Sequence, residues 1–184
     1  IDIDLHKVGR GGDGGNLIVG GKQLEGPTQP GIADGIEVFN IDVLGAGSED
    51  PDGAPAKPSS LGTVTSTQGE LGIVNIATAA AFVNGSTFAS LEIRDGFNAV
   101  GSQFENDDLQ RVNANSFLGD LYLGTNQDII NADAVTALGG GDVVFNGAYN
   151  GFEDNQEYTV VTGDGDDTFD INIDGDAVDA VTEG

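Results

Sequence analysis

The residues best able to do chemistry in this chain are aspartates set among glycines. Thr162-Gly163-Asp164-Gly165-Asp166-Asp167-Thr168-Phe169-Asp170 fits the nonapeptide G-G-x-G-x-D-x-U-x, where U is a large apolar residue and Thr162 replaces the first glycine. Gly11-Gly12-Asp13-Gly14-Gly15-Asn16-Leu17-Ile18-Val19 fits it too, with Asn16 in the aspartate slot. Two degenerate copies lie between them. Residues 123–130 keep Gly124, Asp128 and Ile130 and put Asn126 in a glycine slot; residues 137–144 keep Gly140, Asp142 and Val144. Glycine lets the backbone turn tightly so that its carbonyls face a cation, and the aspartate adds charge. The apolar residue two places later is expected to enter the core and anchor the turn. Calcium takes about 6–8 oxygens, so one turn supplies part of a shell and a stacked neighbour must complete it. The competing reading is ordinary Gly-Asp turns between strands.

On these motifs the chain resembles the RTX, or haemolysin-type, calcium-binding repeat proteins. It is most similar to the surface-layer proteins and large secreted adhesins that embed such repeats in longer β-solenoids. The resemblance covers residues 8–21 and 123–170 at motif level, without a tandem run of perfect repeats. It implies that the sixth-position carboxylate and the turn carbonyls of successive coils sandwich the ion. That nominates Asp167 first, then Asp142 and Asp128, with Asn16 weakest because its side chain is neutral. Gly163, Asp164, Gly165, Asp166 and Asn126 complete the nominated turns. The resemblance also implies type I export, the chain staying unfolded until it leaves the calcium-poor cytoplasm.

Other chemistry is thin. Asp170-x-Asn172-x-Asp174-Gly175 opens like an EF-hand loop, but its twelfth position is Val181 where a bidentate Glu belongs, and a strand reading of Phe169–Ile173 is preferred. His6 is the only histidine, and neither G-x-S-x-G nor H-E-x-x-H occurs. Arg94 and Arg111, 17 positions apart, would suit a calcium-dependent β-helical polysaccharide lyase if they stacked on neighbouring coils. Asn84-Gly85-Ser86 reads as a turn.

The elements that must position these residues are strands. Alternation recurs at residues 1–5, 36–43, 121–123, 158–162 and 169–173, separated by Gly, Asn and Asp clusters. Ala77–Ala81 is the only helix-friendly run, worth a turn or two. A six-residue pattern repeats: Ile36-x-x-Phe39-Asn40-Ile41, Leu71-x-x-Val74-Asn75-Ile76 and Leu109-x-x-Val112-Asn113-Ala114, with a weaker copy at Leu91-x-x-Arg94-Asp95-Gly96. The last two intervals, 20 and 18 residues, suit one solenoid coil, and Asn is expected at the coil corners. The fold expected is all-β, a parallel β-helix or β-roll-like solenoid, with a β-sandwich as alternative. Residues 1–184 are read as one segment of a longer chain, with loop excursions at about 25–35 and 45–60, where the prolines gather.

Composition fixes the company the chain keeps. Its 184 residues carry 31 acidic against 6 basic side chains, a formal charge of −25. Aspartate outnumbers glutamate 22 to 9, and after Arg111 there are 12 Asp and 3 Glu with no Lys or Arg. That tail needs counter-ions to compact. Nucleic acid and anionic membranes are repelled, no apolar run is long enough to span a bilayer, and zero cysteines excludes disulfides and thiolate sites. The expectation is a calcium-stabilised structural or adhesive protein of a bacterial cell surface, secreted and not an enzyme. Its partners would be further copies in a lattice or filament, and cell-surface polysaccharide. The alternative is a β-helical polysaccharide lyase or epimerase, or the calcium-binding tail of a secreted enzyme.

Overall fold

Period-two alternation makes these segments strands and decides which face each buries. In β3 (Val38–Leu44) Phe39, Ile41 and Val43 are buried while Asn40 and Asp42 face solvent; β5 (Ile73–Thr78) and β7 (Arg111–Ser116) bury Val74, Ile76, Val112 and Ala114. The remaining strands are β1 (Asp2–His6), β2 (Leu17–Val19), β4 (Ser59–Ser66), β6 (Leu91–Phe97), β8 (Leu121–Leu123), β9 (Ala134–Ala137), β10 (Val143–Tyr149), β11 (Thr159–Thr162) and β12 (Thr168–Ile173). The computed structural model describes residues 1–9, 14–20, 35–45, 57–66, 71–97, 109–124, 134–149 and 159–173. No helix occurs among them, and so none long and apolar enough to cross a membrane.

Consecutive strands alternate between two sheets. One runs β1-β3-β5-β7-β9-β11, the other β12-β10-β8-β6-β4-β2, and every pairing is parallel. Parallel pairing throughout speaks against the β-sandwich, whose sheets are antiparallel. Register keeps apolar residues in rows: Phe39, Val74, Val112, Val135 and Val160 across one sheet, Leu61, Ile93, Leu123, Phe145 and Phe169 across the other. Residues of both sheets share one core cluster. Each fully buried Val, Leu, Ile or Phe contributes about 1.5–3 kcal/mol before conformational entropy is subtracted.

The repeat is real but its period differs from the expected one. Residues 36, 71 and 109 head the same sheet, whereas Leu91 begins β6 in the other, so the intervals of 20 and 18 each join one sheet to the other. Same-sheet partners are 35 positions apart at Ile41 and Ile76, 38 at Val74 and Val112, then 23 at Val112 and Val135.

The repeated asparagines also sit elsewhere than expected. Asn40, Asn75 and Asn113 lie within strands, not at corners. Asn75 Nδ2 donates to Asn40 Oδ1 (2.9 Å), Asn113 Nδ2 to Asn75 Oδ1 (3.2 Å), and Asn40 Nδ2 to Asp2 Oδ1 (2.8 Å). In-register parallel strands bring identical amides to the strand spacing, and each then satisfies the next. The polarised chain ends on a carboxylate, the acceptor best suited to it. The helix-friendly run is the end of β5 followed by turns, in which Phe82 N–H donates to Ala79 O and Gly85 N–H to Phe82 O. At the second proline segment, Ser59 and Ser60 already belong to β4; residues 25–34 and 46–56 lie outside the described residues.

Candidate functional site: the stacked Gly-Asp turns

Three short turns, at 117–120, 138–142 and 163–167, join β7 to β8, β9 to β10 and β11 to β12, and they stack. Gly119, Gly141 and Gly165 form a column in which each α-carbon packs on a carbonyl of the neighbouring turn before it. A Cβ on Gly165 would lie 2.7 Å from the Gly141 carbonyl carbon, and one on Gly119 2.8 Å from that of Ala89. Only glycine allows this approach. The parallel ladder continues through the turns, with Ser59 N–H donating to Ser90 O, Leu91 N–H to Asp120 O and Leu121 N–H to Asp142 O.

The aspartates beside these glycines bridge neighbouring turns. Asp142 N–H donates to Asp120 Oδ1 (3.2 Å), Asp166 N–H to Asp142 Oδ1 (2.8 Å), and Ser90 Oγ–H to Asp120 Oδ2 (3.2 Å). Asp120, Asp142 and Asp166 are thus one column. Asp167, the first nominee, is not in it. The register Val144–Thr168, continued back one residue, sets Asp167 opposite Val143, and its Oδ1 accepts the Val143 N–H (3.0 Å). It does the work that backbone carbonyls do in the earlier coils. The motif alignment of Asp167 with Asp142 therefore slips by one residue, because between the Ala137–Thr162 and Val144–Thr168 pairs the last turn is one residue shorter than the turn before it.

The other nominated residues divide. Gly163 packs near Leu138 and Gly140, Asp164 is exposed in the last turn, and Asp128 and Asn126 lie outside the described residues. Asn16 belongs to the first turn, at the opposite end of the sheet, where its Oδ1 accepts the Thr63 N–H (3.0 Å). The apolar anchor is displaced in two copies. Ile18 is 65% exposed while Leu17 and Val19 pack on the core, and Val143 rather than Val144 is buried. Phe169 contacts Phe145, with ring centroids 6.4 Å apart, but is 43% exposed, so it does not enter the core as the motif leads one to expect. Asp120 was missed. Its signal was Gly-Asp-x-x-apolar at 119–123, 141–145 and 165–169, at spacings of 22 and 24. Asp170 to Ile173 are strand, as preferred over the EF-hand. Arg94 and Arg111 lie in different sheets, so their spacing of 17 does not stack them on neighbouring strands.

The column is electrostatically loaded. Unit charges one strand spacing apart, about 4.8 Å, repel by roughly 1 kcal/mol even in water. The Tyr122 phenol registers this field: burial, then Asp120, Asp142 and Glu92, push its pKa up. Its neutral form is therefore favoured in the folded state. The stability it contributes is complete below its ordinary pKa of about 10 and is lost as pH rises through the folded value. Asp142→Asn should move Tyr122 back toward its ordinary range, read by ultraviolet phenolate titration with Tyr122→Phe as the blank. An unmoved Tyr122 would mean that Asp142 does not act on it.

The donor set is all oxygen, which suits a hard cation such as calcium. Among the described residues, however, no three acidic or histidine side chains converge as a group that could hold a metal ion. The column carboxylates come one per turn, tied to the backbone of their neighbours. Comparison with protein-family models, with curated proteins and with solved structures finds no match to this chain.

Proposed function

We propose that this chain is a structural segment of a secreted, calcium-stabilised bacterial cell-surface assembly (a surface layer, filament or adhesin) and not an enzyme. The observation that carries the reading is the column Asp120–Asp142–Asp166, one carboxylate per coil, in the part of the sequence that has no Lys or Arg after Arg111. A β-solenoid is the architecture that alternating strands and two in-register parallel sheets support. Among the described residues each sheet ends on strands with one paired side, and edge strands are suited to joining further copies. Calcium would be drawn by the column carboxylates together with Asp164 and Asp167, and would neutralise charge between coils. Calcium bridging to acidic cell-surface polysaccharide follows the same chemistry.

The test is far-UV circular dichroism and melting during a calcium titration, with magnesium as control, followed by electron microscopy. Extracellular calcium modules bind at about 10⁻⁴–10⁻³ M, so the β signal or melting temperature should rise in that range, with sheets or filaments appearing. A chain fully folded in chelator, whose spectrum, melting and assembly ignore calcium, would overturn the proposal.

A further inference from the structure

The first glycine-rich turn handles its oxygens differently from the last three. Gly14 O, Asn16 Oδ1 and Asp95 Oδ2 gather over Gly62: a Cβ there would touch Asn16 Oδ1 and lie 3.1 Å from Asp95 Oδ2 and 3.4 Å from Gly14 O. The backbone fixes these oxygens. Gly62 N–H donates to Gly15 O (3.1 Å), Thr63 N–H to Asn16 Oδ1 (3.0 Å), and Ser60 N–H to Val8 O (2.8 Å). Ser60, two residues before Gly62, has a buried hydroxyl that makes no hydrogen bond. A carboxylate, an amide carbonyl and a peptide carbonyl crowded beside the Gly62 α-carbon are the kinds of donor a hard cation takes. Arg94 reaches one of these oxygens. Its Nη2 donates to Gly14 O, and its Nε is buried. A guanidinium is always charged and holds several oxygens in a fixed fork.

We infer that Arg94 is the resident cation of a site that would otherwise take a divalent metal ion, so that the first turn is locked without calcium while the Asp120–Asp142–Asp166 column relies on ions from solvent. The contrast rests on the calcium proposal above; the role of Arg94 does not.

The test is amide hydrogen exchange on the full chain, in chelator and in calcium, for the wild type, Arg94→Ala and Arg94→Lys. In the wild type, Gly62 and Thr63 should be protected equally in both conditions. Arg94→Ala should lose about tenfold or more of that protection in chelator, the worth of one hydrogen bond to a charged group. It should recover the protection in calcium, and calorimetry should count one calcium site more than in the wild type. Protection unchanged in chelator, or lost and not restored by calcium, would overturn the assignment. Should Arg94→Ala fail to fold in chelator, Arg94→Lys decides: it keeps the charge and must keep the protection, and its loss would overturn the assignment. The amides of Asp142 and Asp166 report the calcium proposal separately. If they ignore calcium in the wild type, that proposal falls while the result at Gly62 stands.

Discussion

Replacing Gly141 with alanine is expected to lower the melting temperature by roughly 10 °C, a loss of about 3 kcal/mol in a chain of this size. The methyl group would stand 2.5 Å from the carbonyl carbon of Gly119 and 3.0 Å from the Asp120 nitrogen. Both are backbone atoms, so no side chain can swing aside. Relief requires the coils to separate at this corner. That would stretch the Asp142 N–H to Asp120 bond and the Leu121 N–H to Asp142 O bond together. Two other glycines separate this steric cause from conformational ones. Gly140 has φ of 87° but open space at its Cβ, so alanine there should cost about 1–2 kcal/mol from the left-handed backbone alone. Gly15 has open space and no such φ, and its alanine variant should lie within about 0.5 kcal/mol of the wild type. Equal losses at Gly141 and Gly140, by chemical denaturation, would refute the close stacking of the turns.

What the sequence disclosed was local, and what it hid depended on pairing. Phe39, Ile41 and Val43 announce β3 because buried and exposed side chains alternate. Strand β4 gave no such sign: Ser59, Ser60, Thr63 and Ser66 are buried though polar. Their position follows from a central place between β2 and β6, where backbone pairing on both sides and small side chains outweigh hydrophobicity. Ser66 Oγ also accepts the Ile36 N–H, joining the two sheets. The asparagine spacing was visible, but its cause was misread. Asn was expected for its tolerance of left-handed backbone, whereas these residues serve by their amides, which find partners only once parallel strands are in register. The same dependence explains Asp167. Spacing within one turn cannot reveal that the turn is one residue shorter than its neighbour, and a slip of one residue exchanges a column position for a ladder position. Asp120 stayed hidden because its turn keeps Gly119 but not the second glycine of the nonapeptide. Comparing whole Gly-Asp-strand units, rather than glycine patterns, would have exposed it.

Converting Asp120, Asp142 and Asp166 together to asparagine should raise the melting temperature in chelator and abolish its rise with calcium. The acceptor oxygens survive the change, so the bonds from the Asp142 and Asp166 N–H groups can persist. The repulsion between neighbouring carboxylates does not. Each new amide also brings a donor toward the next coil, the arrangement that Asn40, Asn75 and Asn113 already adopt on the other sheet. In the wild type, one site held at 100-fold above its Kd adds about 2.7 kcal/mol, or about 5–10 °C in a chain of this length. In the variant that increment should vanish. An alanine triple variant removes charge and acceptor together, so it should melt lower than the asparagine variant with or without calcium. These two variants distinguish a column that binds ions from one that merely bonds backbone. If the asparagine variant keeps the full calcium increment, the ions act elsewhere and the column is a hydrogen-bonded staple. If it loses the increment but still assembles into sheets or filaments in chelator, calcium serves only to neutralise the stack, and contacts between copies lie on other surfaces.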